Sequence, residues 1–455
     1  MIHHWLRLAF AAFCLCLSLP AFSNSLDITQ DQTDKLSQAE ILFTMKGSNT
    51  IGEKLAPALA AKYLMELGAT DTEVIKTHTV EKTVVGTMPN GELKAVEIKA
   101  HGSSTGFKAL TEKGTDIAMS SRRVKNKERQ SLMDLYGDLS ALENEYTIAV
   151  DGLAVIIHPA VDIKQLNTQQ LAMIFSGEIT NWRELGGSNQ PISVFARDDN
   201  SGTYDTFKSL VLKRHNVSLS EYAKRYESSG ELSQQVSSIS GAIGFVALPY
   251  VNEAKAIAVA EAGVALSFKP NTFTVSTEDY VLSRRLYLYY PSNNKNPHAK
   301  DFMQFVLKNK AQTVVENNNL ISLKVNDATV RFNRNYPPRY LNMIRESKRL
   351  SITFHFDQNL ELDNKGKRDI ARLAEYVKNR RLKDLFVFGF SSESGNLEED
   401  KNRSQELADQ ISAKLKDLGI TPFYTQGYGS RGAIASNETA NGKAKNQRVE
   451  IWVGR

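Results

Sequence analysis

Three times in its first half this sequence runs a short apolar strand into a Gly/Ser/Thr-rich turn and on into a helical pattern. Ile41-Leu42-Phe43 leads to Gly47-Ser48-Asn49-Thr50-Ile51-Gly52 and the helix face Leu55, Leu59, Tyr63, with Pro57 early, where a missing N–H is best tolerated. The alternating Val96–Ala100 leads to Gly102-Ser103-Ser104-Thr105-Gly106, then Phe107 and Leu110. Ile192–Phe195 leads to Arg197-Asp198-Asp199-Asn200-Ser201-Gly202-Thr203, then Phe207, Leu210 and Val211. Repeated strand–turn–helix units specify α/β layers.

Such turns carry chemistry as well as topology. A helix start leaves backbone N–H groups without intrahelical partners, and its dipole favours negative charge. Arg197 adds a forked, permanently charged donor, and Asp199 is close enough in sequence to brace it. One such turn reads equally well as an ordinary N-cap. Three together point to one anion held by several helix starts.

These segments resemble the periplasmic phosphate-binding proteins of ATP-driven phosphate importers, in which a G-S-x-T turn, a G-S-S turn and an R-x-D-x-S-G-T turn surround a dehydrated phosphate. Further matches are Asp116–Arg122, Ile174-Phe175-Ser176-Gly177 with Asn181-Trp182, Gly241–Phe245, and the returning strand Ser283–Tyr289. The resemblance spans about residues 41–325. It implies phosphate contacts from Thr50, the Ile51 amide, Ser103, Arg197, Ser201, Gly202 and Thr203, with Asp199 orienting Arg197. In the family an Asp often follows the A-S pair of the third motif and accepts a proton from phosphate; here that position is Ser121. A carboxylate cannot share a hydrogen bond with a fully ionised tetraoxyanion, since neither side has a proton to give. Ser121 removes that filter. Asp151, in Asp151-Gly152-Leu153-Ala154-Val155, is either a replacement acceptor or a turn residue before a buried strand.

At 455 residues the chain exceeds one ordinary core. Its 41% hydrophobic and 24% charged residues are those of a soluble globular protein. A net charge of only +5, without a basic block interleaved with aromatics, does not suggest nucleic acid. Arg7 precedes the apolar run Leu8–Leu19, and Ala21-Phe22-Ser23 supplies small residues two apart, so residues 1–23 read as a secretory signal peptide. Both cysteines, Cys14 and Cys16, lie within it, and Leu15 is a poor fit to a lipoprotein signal. The expected mature product is secreted, soluble, and free of disulfide and lipid. Its expected place is the periplasm of a Gram-negative-type envelope, with cell-wall or outer-membrane association through the tail.

Residues 24–40, polar and acidic, read as a disordered leader, and Thr87–Gly91 as a hairpin tip. The family's type II binding-protein architecture implies two α/β lobes around a cleft. The first comprises about 41–145 and 277–325, the second 146–276, and two connecting strands form the hinge. Residues 326–349 read as a linker with one short helix. Residues 350–455 follow as an α+β unit of β-α-β-α-β order: strands at Ser351–Phe356, Phe386–Phe390 and Val449–Val453, and helix faces at Ile370, Leu373, Ala374, Val377 and at Leu407, Ile411, Leu415.

This last unit resembles the OmpA-like domain, which binds peptidoglycan. Phe354–Asp357, Gly427-Tyr428-Gly429, Ala435–Gly442 and Asn446–Ile451 carry the resemblance. The family grips the diaminopimelate of the wall peptide with an Asp in G-[FY]-[ST]-D-x-x-G and an Arg on the second helix. Here those positions hold Ser392 and Leu407. Arg403, one helical turn earlier, and Glu393 are the candidate substitutes. Otherwise the fold persists with wall affinity weakened or lost. Asn437 and Arg448 serve either the wall contact or the fold.

The function expected is therefore phosphate binding for delivery to an ABC permease, with a tail for the wall. The alternative is an envelope-associated, phosphate-responsive scaffold or adhesin. An enzyme is not expected: the histidines are scattered without metal-ligand spacing, and no hydroxyl nucleophile is paired in sequence with a recognisable base. Neither a metal nor another cofactor is called for.

Overall fold

The computed structural model describes residues 28–199, 201–330 and 336–454. The signal-peptide reading, with Cys14 and Cys16, lies outside the described residues, as does Asn200. Among the described residues no helix is long and apolar enough to cross a membrane.

One mixed sheet runs through the first three hundred residues. Its strands lie side by side in the order Asp71–His78, Glu81–Thr87, Leu93–Lys99, Glu40–Gly47, Ile117–Ser120, Ser283–Tyr289, Glu145–Ile157, Ala242–Ala247, Ser193–Arg197, Lys224–Tyr226. The 13-residue strand Glu145–Ile157 is the seam. Its first part pairs antiparallel with Ser283–Tyr289 and its last part with Ala242–Ala247. The packing divides at the same place. Ile148 and Ala149 belong to one apolar core with Phe43, Leu59, Tyr63 and Phe302. Val150 and Leu153 belong to another with Phe175, Phe207 and Phe245. A strand buried on both faces, and therefore apolar nearly throughout, joins the two lobes. The indole of Trp182, fully buried, donates to the Gly241 carbonyl and ties two strand–turn segments of the second lobe.

The leader differs from expectation. Gln30–Gln38 is a helix closed by a capping box between Thr29 and Gln32. Gln32 and Lys35 bind Glu73, and Leu36 packs with Ile75, Val85 and Ala95. A polar composition hid a helix whose stability comes from its cap and its neighbour.

The C-terminal unit forms a five-stranded sheet in the order Asp327–Ala328, Ser347–His355, Arg448–Gly454, Leu385–Phe390, Tyr424–Gly427. The helices Asn364–Arg380 and Leu397–Asp417 add to its core. The strand Tyr424–Gly427 and the helix Ala440–Asn446 are additions to the five-element order read from sequence. The linker expected over 326–349 is in fact largely built into this unit. Its helix Pro338–Ile344 buries Tyr340 and Ile344 against Phe386, Phe388, Phe390 and Trp452. Arg448 is a fold residue: wholly buried, it pairs with Glu450 at 3.0 Å and lies 4.2 Å over the Phe390 ring.

The two parts are docked through buried charges. Arg349 of the C-terminal unit pairs with Asp279 and approaches Glu450 at 3.5 Å. Arg285, on the returning strand, donates to Glu278 at 2.8 Å and to Asp363 at 2.6 Å. Asn364 donates to the Ser140 carbonyl and Glu145, and Arg368 to the carbonyls of Glu145 and Leu142, all on the first lobe. On the second lobe, Glu261 accepts from the Ser436 amide at 3.0 Å. Burial alone would push the Glu278 carboxyl up; Arg285, with His355 and Lys365, outweighs it and holds it down at about 2. Burial takes the His355 imidazole down to about 4, so it stays neutral at neutral pH.

Candidate functional site

The hydroxyl-rich turns meet where the lobes meet. Gly47 ends its strand at φ +136°, and a Cβ there would sit 2.1 Å from the Met119 carbonyl, so no other residue fits. The Ser48 amide donates to that carbonyl at 2.9 Å, and the Gly102 amide to the Gly47 carbonyl at 2.7 Å. Three strand ends of the first lobe are thereby fixed together. Ser103 and Ser121 face one another there: the Ser121 amide donates to Ser103 Oγ at 3.1 Å, and the two hydroxyls lie 3.3 Å apart. From the second lobe, Ser201 caps the helix Gly202–Phe207 by accepting from the Tyr204 amide. Gly202 comes so close to Thr50 that an added Cβ would lie 2.8 Å from Thr50 Oγ1. Lobe touches lobe at this point.

A cavity of about 250 Å³ opens here, and Thr50, Asp151, Arg197, Ser201, Gly202 and Thr203 all line it. Glu53 and Glu227, both exposed, contribute to the same wall. Arg197 is largely buried, with Nε donating to the Tyr226 carbonyl at 3.1 Å and Nη1 to Ser229 Oγ at 2.5 Å. Its nearest carboxylate is Asp198, at 3.9 Å. Asp199, expected to brace Arg197, does not: the turn carries it outward to Arg225, at 2.7 Å. Ile51 is buried in the first lobe's core, so only its backbone is available to a ligand. Ser103 and Ser121 are outside the lining of this cavity, and Ser121 is joined to Thr50 and Gly202 of that lining by a residue that is itself outside it and that the sequence reading left without a role.

That residue is Arg284. Its register on the returning strand sets it opposite Asp151. Nε donates to Asp151 Oδ2 at 3.3 Å, Nη1 to Ser121 Oγ at 3.1 Å, and Nη2 to Thr50 Oγ1 at 2.7 Å and the Gly202 carbonyl at 3.2 Å. Asp151 Oδ2 also accepts from Thr206 at 3.1 Å. Asp151, one of the cavity's lining residues, is thus engaged through Oδ2, and it lies within the strand Glu145–Ile157, not in a turn before it. The signal that could have found Arg284 was its place in the strand Ser283–Tyr289, but its partner depends on pairing across 133 residues.

In the C-terminal unit the proposed grip is not assembled. Ser392 turns inward, donating to Gln447 Oε1 at 3.1 Å, and Leu407 is core. Arg403 pairs with Glu399 on its own helix at 2.5 Å, while the Glu393 amide binds Asn437.

Comparison with known proteins agrees with this architecture. The model of the PBP superfamily domain matches residues 85–310, and that of the OmpA family matches 353–447. The molecule is therefore a binding protein of the PBP superfamily joined to an OmpA family domain. The phosphate-binding protein PstS of Pseudomonas aeruginosa is 30% identical over 244 residues, 50% of this chain and 74% of that protein. PstS of Borreliella burgdorferi is 27% identical over 238 residues, 50% of this chain and 80% of that one. A crystal structure of a possible phosphate binding protein from Planctomyces limnophilus shares the fold at TM-score 0.50 and 22% identity, over 63% of this chain and 93% of its own. The chain belongs to the PstS phosphate-binding protein family.

Proposed function

We propose that the cleft binds inorganic phosphate for delivery to the permease of an ABC importer in the periplasm. The ligand set is Thr50, the Ile51 amide, Arg197, Ser201, Gly202 and Thr203, with Ser103 and Ser121 behind them. The observation that carries this reading is the meeting of Thr50 with Gly202 beside the largely buried Arg197, which sets donors from both lobes around one small cavity. Water is stripped from the anion and replaced by N–H groups, hydroxyls and a guanidinium, each charge-assisted bond contributing on the order of 1.5–3 kcal/mol. Desolvation and lobe closure oppose their sum. Calorimetric titration of the full chain, freed of carried-over anion, tests it: saturable one-to-one heat with phosphate is expected. No heat would shift the weight to an envelope scaffold, the reading favoured by the C-terminal domain's bonds to both lobes.

The OmpA family domain supports association with peptidoglycan, with a weakened grip, since neither Ser392 nor Leu407 offers the charge the family uses there. Retention of the full chain on purified peptidoglycan is expected to be lower than that of an OmpA-like protein carrying the Asp and Arg. Equal retention would show that Arg403 and Glu393 supply the grip after all.

A further inference from the structure

We infer that a second cavity, between the two lobes and the C-terminal unit, is a ligand site for a small molecule carrying two or more oxyanion groups, carboxylate or phosphoryl. It holds about 440 Å³, within the range of roughly 300–1,000 Å³ usual for small-molecule sites. All three bodies line it: Arg123 from the first lobe, Ser209 and Arg214 from the second, Lys445 from the C-terminal unit. Ser209 lies in a single π-helical turn, Lys208–Leu212, a geometry frequent at functional sites. This chamber has no lining residue in common with the cleft cavity. Arg284 stands between them, lining the one and bonding to Thr50 and Gly202 of the other.

The lining offers donors that the protein itself leaves unengaged. Arg123 binds Glu145 through Nε and Nη2, and Arg285 binds Glu278 through Nε and Asp363 through Nη1. Nη1 of Arg123 and Nη2 of Arg285 have no acceptor among the described residues. Arg214 pairs with Glu261 through Nη2 at 3.0 Å, which leaves its Nε and Nη1. Lys445, half-buried, has neither an ion pair nor a hydrogen bond among the described residues, and burial holds its pKa below the ordinary lysine value. His355, also against the cavity and 7% exposed, has both ring nitrogens unpartnered among the described residues. An oxyanion accepts from all such donors, and forked guanidinium groups match carboxylate and phosphoryl oxygens alike. The carboxylates nearby are already engaged. Glu278 and Asp363 hold Arg285, while Glu145 and Glu261 stand outside the lining, behind their arginines. Asp357 lies at the exposed rim, its Oδ1 taken by the amides of Asn359 and Glu361. An occupant therefore meets guanidinium and ammonium groups first. Because these stand on three separate bodies around one cavity, it reaches them with more than one oxyanion group.

The test is calorimetry on the full chain in saturating phosphate, with pyrophosphate as the phosphoryl probe and citrate as the carboxylate probe. Expected is saturable one-to-one heat with at least one of them, at a Kd below about 1 mM, and the probe that binds assigns the oxyanion class. In Lys445→Gln that affinity should fall roughly ten- to hundredfold while phosphate binding is unchanged, since the lysine has no partner whose loss would disturb the fold. In Arg197→Ala, which disables the cleft, the probe's affinity should stay within about threefold. No heat with either probe at about 10 mM would overturn the inference. So would a loss in Arg197→Ala without one in Lys445→Gln, because the probe would then be in the cleft. A chain that takes a probe, more weakly in Lys445→Gln, yet gives no heat with phosphate would overturn the cleft reading alone. The unaltered chain and Arg197→Ala decide the matter even if Lys445→Gln does not fold.

Discussion

Arg349→Ala should cost about 3–5 kcal/mol of stability. Arg349, Asp279 and Glu450 are each at most 3% exposed. The guanidinium donates to both carboxylate oxygens of Asp279, and its Nη2 also reaches Thr353 Oγ1 at 3.0 Å. Burial works against its charge, yet the two carboxylates together push its ionisation well above the ordinary value. Taking it away leaves two carboxylates in a water-poor seam, with Arg448, Tyr340 and the Trp452 indole left to Glu450. Asp279 belongs to the phosphate-binding part and Arg349 to the C-terminal part, so the loss should appear first as undocking. Hydrogen exchange resolves this better than one melting temperature, since a two-part chain need not unfold in one step. The expected result is early exchange along Ser347–His355 while the lobes stay protected. Arg349→Ala combined with Asp279→Asn should recover part of the loss. A cost below about 1 kcal/mol would mean that water reaches the seam.

The second large effect is on the ligand. Arg197→Ala should weaken phosphate binding by about 2–5 kcal/mol, roughly thirty- to several-thousandfold. Arg197 is held before any ligand arrives, by the Tyr226 carbonyl and Ser229, so little ordering is left to be done when the anion enters. Ser103→Ala should cost only about 0.5–1.5 kcal/mol, because Ser103 contributes one neutral hydroxyl that already faces Ser121. Calorimetry on both variants separates the roles. Equal losses would mean that Arg197 props the turn without touching the anion.

What the sequence told plainly was local. A Gly-Ser-x-Thr turn or a Ser-Gly-Thr cap announces itself because glycine and hydroxyl residues do the same work wherever a strand ends and a helix begins. The second half of the site is not local. Arg284 is one of two adjacent arginines in an apolar strand, and nothing short of the register opposite Asp151 says which of them faces the cleft and which, as Arg285, faces Asp363. Asp199 misled for the same reason: closeness in sequence placed it beside Arg197, and the turn's outward course gave it to Arg225. The leader helix was missed because its cap is visible in sequence while its partner, Glu73, lies about forty residues away.

The docked tail changes what a tether means for this receptor. Asn364 and Arg368 hold one jaw, Ser436 holds the other, and Arg285 and Arg349 fasten the same block beside the crossing strands. The jaws cannot swing apart without shearing one of these grips, so the stiffness of the mouth is set partly at the point of attachment. Mechanical load on the tail is then expected to bias the jaw angle. By reciprocity, a full mouth also alters how firmly the tail stays seated.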